Sequence, residues 1–173
     1  MPLERFAAAW REQYVSTAGG AGEGADECVF CRLSDEPVAP ETGVVWRGPL
    51  SFVVLNAFPY GSGHLLVLPR AHVAHLDELD ASAYGDFSET LRRVAVALRR
   101  AYEPDGLNIG MNLGRAAGAG IPGHLHAHAL PRWNGDTNFM TTIGEVRVLP
   151  ESLESTWRKV QPFLQDGSTT VPE

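Results

Sequence analysis

No apolar run in the chain approaches the roughly 20 residues that a membrane span requires. The first residues, "MPLERFAAAWREQYV", carry charges throughout and lack the uninterrupted apolar stretch of a secretory signal. A cytoplasmic protein with no membrane partner is therefore the expectation. Cysteine is scarce: two in 173 residues, both in "CVFC", which excludes a disulfide framework. Positive charge is in deficit, with 14 Lys and Arg against 21 Asp and Glu and a net charge of −7. Such a chain is a poor partner for nucleic acid or an anionic membrane. A small local cluster can still hold the phosphates of a nucleotide. No Gly-Lys-Ser/Thr follows the glycine-rich stretch "GRAAGAGIPG", so there is no Walker loop.

What remains is ordinary globular composition, 44% hydrophobic and 20% charged, on a length that suits one domain. Residues 1–27 comprise a helix, with Leu3, Phe6, Trp10 and Tyr14 at steps of three and four, and then a flexible Gly/Ala/acid loop. The compact core runs over 28–150, and 151–173 form a last helix and a frayed tail.

Within the core, "GVVWRG", "SFVVLN" and "HLLVLP" are short β-branched runs punctuated by Gly48–Pro49 and "FPYGSG". Tyr84, Phe87, Leu91, Val94, Leu98 and Tyr102 mark a long amphipathic helix that Pro104 stops. "GLNIGMNLG" alternates as a strand does. Leu153, Trp157, Val160 and Leu164 mark the last helix, which Pro162 is expected to kink or end, leaving Leu164 least secure. The pattern is α+β: an antiparallel sheet of five strands with helices packed on one face.

Three of the six histidines stand at alternate positions in "GHLHAHALPRW". On a strand, His124, His126 and His128 share one face, roughly 7 Å apart. Leu125, Ala127 and Ala129 face the other way, and the alanines let the long helix approach. Three uses are open: a polar strand with no chemistry, a zinc site built from all three, or nucleophilic catalysis. In the last, a neutral imidazole attacks phosphorus and a neighbour holds the phosphate oxygens. The preceding loop, with Gly114, Gly118 and Gly120, lets backbone N–H groups turn toward an anion.

"HLHAHAL" resembles the histidine triad (HIT) motif. The similarity extends through "CVFC", "LNAFPYGSGHLLVLPRAHV", "NIGMNLGRAAGAGIPGHLHAHALPRW" and "NGDTNFM". The branch it resembles contains bacterial diadenosine tetraphosphate phosphorylases and hydrolases. That resemblance implies a HIT-like fold, a homodimer and a nucleotidyl hydrolase or transferase acting on (di)nucleoside polyphosphates. His126 falls on the attacking histidine and His128 on the one that contacts phosphate. Asn112 falls near phosphate and ribose, Asn56 on a ribose contact, and Phe30 and Val54 near the base pocket. Many relatives carry a serine or glutamine in the glycine loop. Here "AGAGIPG" offers none, so the N–H groups of Ala119 and Gly120 are expected to serve. Arg115 and Arg132 are candidates to neutralise a polyphosphate tail. A nucleotide-binding regulator without turnover and a zinc-dependent phosphohydrolase are the alternatives.

The thiols of Cys28 and Cys31 have the spacing of half a tetrahedral zinc site. A redox pair and two plain thiols are the competing readings. The resemblance implies that His72 and His124 complete a structural Cys₂His₂ zinc site. His75 is expected at a helix entry or surface, and His64 as a supporting polar contact.

Overall fold

Two of the strands expected from the sequence contain almost nothing but apolar residues, and the fold explains why. The computed structural model describes residues 28–136 and 151–166. The helix expected over 3–14, the loop before Cys28, residues 137–140 and the tail beyond 166 lie outside them. A short helix α1 (Val29–Asp35) is followed by β1 (Val44–Arg47), β2 (Ser51–Leu55) and β3 (Leu65–Pro69). The long helix α2 (Ala81–Tyr102), β4 (Gly106–Met111), β5 (Ala127–Arg132) and helix α3 (Leu153–Gln165) complete the order. The strands form one antiparallel sheet in the order β1-β2-β3-β5-β4. Strands β2 and β3 lie inside it and are buried on both faces, hence their continuous apolar sequences.

The faces differ in what covers them. Val45, Val53, Leu55, Leu65, Val67, Ala127 and Ala129 pack with Phe87, Val94, Ala97 and Leu98 of α2 and with Val160 and Leu164 of α3. On the other face Val44, Phe52, Val54, Leu66 and Leu68 pack with Phe30 of α1 and with Ile121. The two long helices share one face as expected, and the short α1 lies against the other.

Helix α2 starts where the Asp80 carboxylate accepts the Ala83 N–H at 2.8 Å, a side-chain cap. Arg99 and Arg100 sit in its last turn, where the dipole favours cations. Its buried stripe begins at Phe87, while Tyr84 is 51% exposed, so the expected apolar face is one turn shorter. Helix α3 differs from expectation. It continues through Pro162 to Gln165, and Leu164 is 1% exposed. Pro162 forfeits one ladder hydrogen bond. Val160 and Leu164 offset it by burial, and Arg93 reaches across to the Leu164 carbonyl at 3.3 Å. The Trp157 indole N–H donates to the Val44 carbonyl at 2.8 Å, at the irregularity between Val44 and Trp46 where β1 slips register against β2.

Ala127 is fully buried beneath α2, midway between His126 and His128. An Ala127→Leu variant should lose about 1–3 kcal/mol of stability through overpacking. It should lose activity as well, because the strand must move and carries the histidines with it. A denaturation midpoint and a rate on one preparation check both, and an unaltered midpoint would contradict this packing.

Candidate active site

The face of β5 opposite the two long helices is where the chemistry-bearing side chains gather. His128 lies in the ladder, opposite Leu66 of β3 and Gly110 of β4. His126 and His124 precede the strand, and the Leu125 N–H is held by the Val73 carbonyl at 2.6 Å. The rings of His126 and His128 stand 5.2 Å apart, edge to face.

The rings of His126 and His124 each have a defined tautomer, because one nitrogen of each faces a backbone carbonyl, which only accepts. Nδ1 of His126 lies 2.8 Å from the His124 carbonyl. A carbonyl only accepts, so Nδ1 carries the proton and the Nε2 lone pair is exposed for reaction. His126 is 6% exposed. Burial pushes its pKa down, with the His124 carbonyl pulling the other way, so it is neutral at pH 7. His124 donates from Nε2 to the Pro69 carbonyl at 2.9 Å, which frees its Nδ1 lone pair.

That lone pair faces thiols. Nδ1 of His124 is 3.4 Å from Cys28 Sγ and 3.5 Å from Cys31 Sγ, and Nδ1 of His72 is 3.2 Å from Cys31 Sγ. The four donor atoms all lie within 4.8 Å of one another. Cys28 caps α1 and Cys31 sits one turn on, so one helix end supplies both sulfurs. A tetrahedral ion with about 2.3 Å arms to sulfur and about 2.0 Å arms to nitrogen puts such donors about 3.5 Å apart. The set therefore fits a tetrahedral, thiolate-binding metal ion. Phe30, between the two cysteines, packs 5.6 Å from the His124 ring and 5.3 Å from the His126 ring.

The remaining candidates are distributed as follows. Val54 is 1% exposed and packs with Phe30 in the core. Asn112 is half-buried one step past the Met111–Ala127 pair, level with His126 in the antiparallel register. Asn56 uses its Oδ1 to accept the Phe58 N–H at 3.0 Å. In the glycine loop the Ala119 N–H donates to the Gly114 carbonyl at 3.3 Å. The bond lies in a tight turn built on positive φ at Gly114 and Gly118, and a phosphate at this N–H would compete with it. Gly120 follows the turn, and no protein acceptor among the described residues takes its N–H. Arg115 is exposed. Arg132 is committed to Asp136, at 2.5 and 2.6 Å, and to Asn108 at 2.7 Å. His75 opens a single helical turn, its N–H held by Glu78 at 2.8 Å.

Two further residues join the site. Nε2 of His64 lies 2.9 Å from Nδ1 of His128. The Tyr60 ring lies nearly parallel to His128, 17° off and 5.7 Å away. The sequence gives Tyr60 no periodic signal, since it sits in a punctuating loop.

Burial and the neighbouring His126 bring the His128 pKa down from its ordinary 6.5 to about 4, and burial does the same to His124. The unfolded chain therefore takes these protons first. Stability that is complete above pH 6.5 is lost as pH falls toward 4. A series of melting temperatures should be level above pH 7 and decline steadily between 6.5 and 4; a level series across that window would contradict the burial of these rings.

The HIT domain family model matches residues 37–135. A Mycobacterium tuberculosis protein named AP-4-A phosphorylase is 40% identical over 127 residues, which is 73% of this chain and 63% of that relative. The match thus spans less than two thirds of that relative's length. An uncharacterized HIT-like protein of the same organism is 35% identical over 109 residues, 63% of this chain and 74% of its own. Among solved structures, a Zn-bound histidine triad family protein from Mycobacterium smegmatis superposes with a TM-score of 0.65 at 29% identity, covering 83% of this chain and 96% of that one. With the triad on one face of its sheet and a family match over more than half its length, the chain belongs to the HIT domain family.

Proposed function

We propose that this chain is a nucleotidyl hydrolase or transferase. It would cleave (di)nucleoside polyphosphates, such as diadenosine tetraphosphate, at the α-phosphorus through a nucleotidyl-histidine intermediate. The observation that carries this reading is the His126 Nδ1 contact with the His124 carbonyl at 2.8 Å, which leaves Nε2 unprotonated on a buried, neutral ring. The Nε2 lone pair forms a bond to the α-phosphorus, and the bond from phosphorus to the leaving phosphate chain breaks. The positive charge gained by the ring is shared with the His124 carbonyl through the Nδ1–H. An oxygen of water or orthophosphate then attacks phosphorus, the N–P bond breaks, and the lone pair returns to Nε2.

His128 and the Gly120 N–H are the donors proposed for the phosphoryl oxygens, in the manner of preorganised anion sites. Asn112 and the Phe30 ring border the same nucleophile and are the proposed contacts to ribose and base. The ion proposed for Cys28, Cys31, His72 and His124 is zinc. It would cross-link α1 to the loops before β5, with no position left open for chemistry. We extend the proposal to a homodimer, as the resemblance implies.

The test is product analysis with diadenosine tetraphosphate, with and without orthophosphate. Phosphate-dependent release of ADP and ATP establishes a phosphorylase. Release of AMP and ATP without phosphate establishes a hydrolase with the same first step. No cleavage of this or any other nucleotidyl substrate, with nucleotide bound, would replace the enzyme by a nucleotide-binding regulator.

A further inference from the structure

We propose that Gly110 is a specificity-determining residue. The part of the substrate that leaves, a phosphate chain with its second nucleoside, crosses β4 over this glycine, beside His128.

A glycine inside a strand weakens it, and marks a bulge, a tight bend or a close approach by something else. The register of β4 against β5 is unbroken from Gly106–Arg132 to Met111–Ala127, so there is no bulge at Gly110. Gly110 is not among the glycines with positive φ, so any residue could adopt its backbone. A Cβ built on it would meet no atom of the described residues within 4 Å. Gly63 is the contrast. A Cβ there would come within 2.8 Å of Pro131 and of Tyr102, so packing alone forbids a side chain. At Gly110 neither packing nor conformation requires glycine, and close approach by a ligand is the remaining reason for it.

Its position says which part of a ligand. Residues directly opposite in an antiparallel pair share a face. Gly110 opposes His128 and Asn108 opposes Leu130, so a Cβ on Gly110 would point to the side where the histidines stand. Two sides of the row are walled. Phe30 stands at the His124 end, 5.6 Å from that ring and 5.3 Å from the His126 ring. On the side of β3 the Tyr60 ring lies 4.6 Å from His64 and 5.7 Å from His128. The loop that carries it rests on Leu130, whose Cδ1 would be 3.5 Å from a Cβ on Gly61. The β4 side has no such wall: Gly106, Asn108 and Gly110 are all exposed.

The nucleoside and the leaving chain are different substituents of the α-phosphorus and extend in different directions. With the nucleoside against Phe30, as proposed above, the open path for the leaving chain is over β4. A phosphate chain carries oxygens on all sides, and it lies close to a strand only where no side chain stands between. Next along that face come Asn108 and Arg132, joined at 2.7 Å, both with N–H groups that suit phosphate oxygens.

The identity of the leaving chain rests on the proposed nucleotidyl transfer; the open glycine does not. Gly110→Ala and Gly110→Val add one and three carbons to the open face, and both side chains cost a strand less than glycine does. Melting temperatures of the full-length variants should equal or exceed that of the unaltered chain. Two substrates are then compared: diadenosine tetraphosphate, and adenosine 5′-phosphofluoridate, whose leaving group is a single atom. The ratio of their kcat/KM values should shift against the tetraphosphate on the order of 10–100-fold in Gly110→Val, and by less in Gly110→Ala. Calorimetry supplies a readout without turnover. A methylene-bridged analogue of diadenosine tetraphosphate should lose on the order of tenfold in affinity, relative to AMP, in Gly110→Val.

A ratio and a relative affinity that stay the same in both variants overturn the proposal. So does a lowered melting temperature, or loss of an oligomer that the unaltered chain forms, since the glycine would then serve packing or a second copy. If the analogue binds and weakens in Gly110→Val while neither substrate is cleaved, the transfer reading falls and this one stands. If the analogue does not bind the unaltered chain, both fall.

Discussion

An asparagine in place of His126 stops turnover and leaves nucleotide binding in place. The substitution keeps a short polar side chain beside the His124 carbonyl and removes the unprotonated Nε2 proposed as the nucleophile. If the nucleotide bond is made to that nitrogen, kcat should fall on the order of 10³–10⁶-fold, as when the nucleophile of another covalent enzyme is removed. Calorimetry with a non-cleavable nucleotide should report a similar affinity for both proteins. A second reading is direct: substrate labelled at the α-phosphate, mixed and quenched in alkali, should leave label on the unaltered protein and none on the variant. Turnover that survives in His126→Asn at near its original rate would remove the nucleotidyl-histidine route.

If the proposed ion is bound, taking it away should cost the protein its fold and, through the fold, its chemistry. Cys28, Cys31, His72 and His124 come from the α1 end, from the segment after β3 and from the segment entering β5; hydrogen bonds from Leu125 to Val73 and from His124 to Pro69 already join the last two, and the ion would bind the α1 end to them. The apparent contribution of structural zinc reaches about 10–16 kcal/mol in small domains. Here part of the same surface is also held by Phe30 and Ile121, so a loss of at least ~3 kcal/mol is expected for Cys28→Ser or for exhaustive chelation, a drop of roughly 10 °C in melting temperature. Metal analysis of the unaltered chain should find one ion per protomer. During chelation, activity and circular dichroism should decline together. Activity that vanishes at once while the spectrum stays intact would mean that the ion works on the substrate, and would return the zinc-dependent phosphohydrolase to first place.

The strands were legible because their residues have little choice. Runs such as "SFVVL" and "LLVLP" suit a strand buried on both faces, and the alternation over 124–129 assigned the two faces of β5, although the strand begins only at Ala127 and takes in His128 alone of the three histidines. The stripe of α2 was legible for the same reason, apart from Tyr84, which is 51% exposed. What failed was decided by partners distant in sequence or by backbone bonds. Pro162 reads locally as a helix end, and burial of Val160 and Leu164 against a helix 60 or more residues away overrides it. Ala119 reads as a free peptide N–H, and a turn that reaches back five residues to the Gly114 carbonyl engages it. His64 was legible as a supporting polar contact, but not the partner it supports, since His128 lies 64 positions on.

Strand β5 bonds to a neighbour on each side, to β3 and to β4, and is covered on both faces, by helix on one and by imidazole, Phe30 and Tyr60 on the other. Its backbone cannot fray from an edge. The amides of Ala127 and Ala129 are released only when the whole sheet opens, which makes them the slowest clocks in the molecule. His128, the one histidine of the row in that ladder, is therefore held in place for as long as the sheet survives.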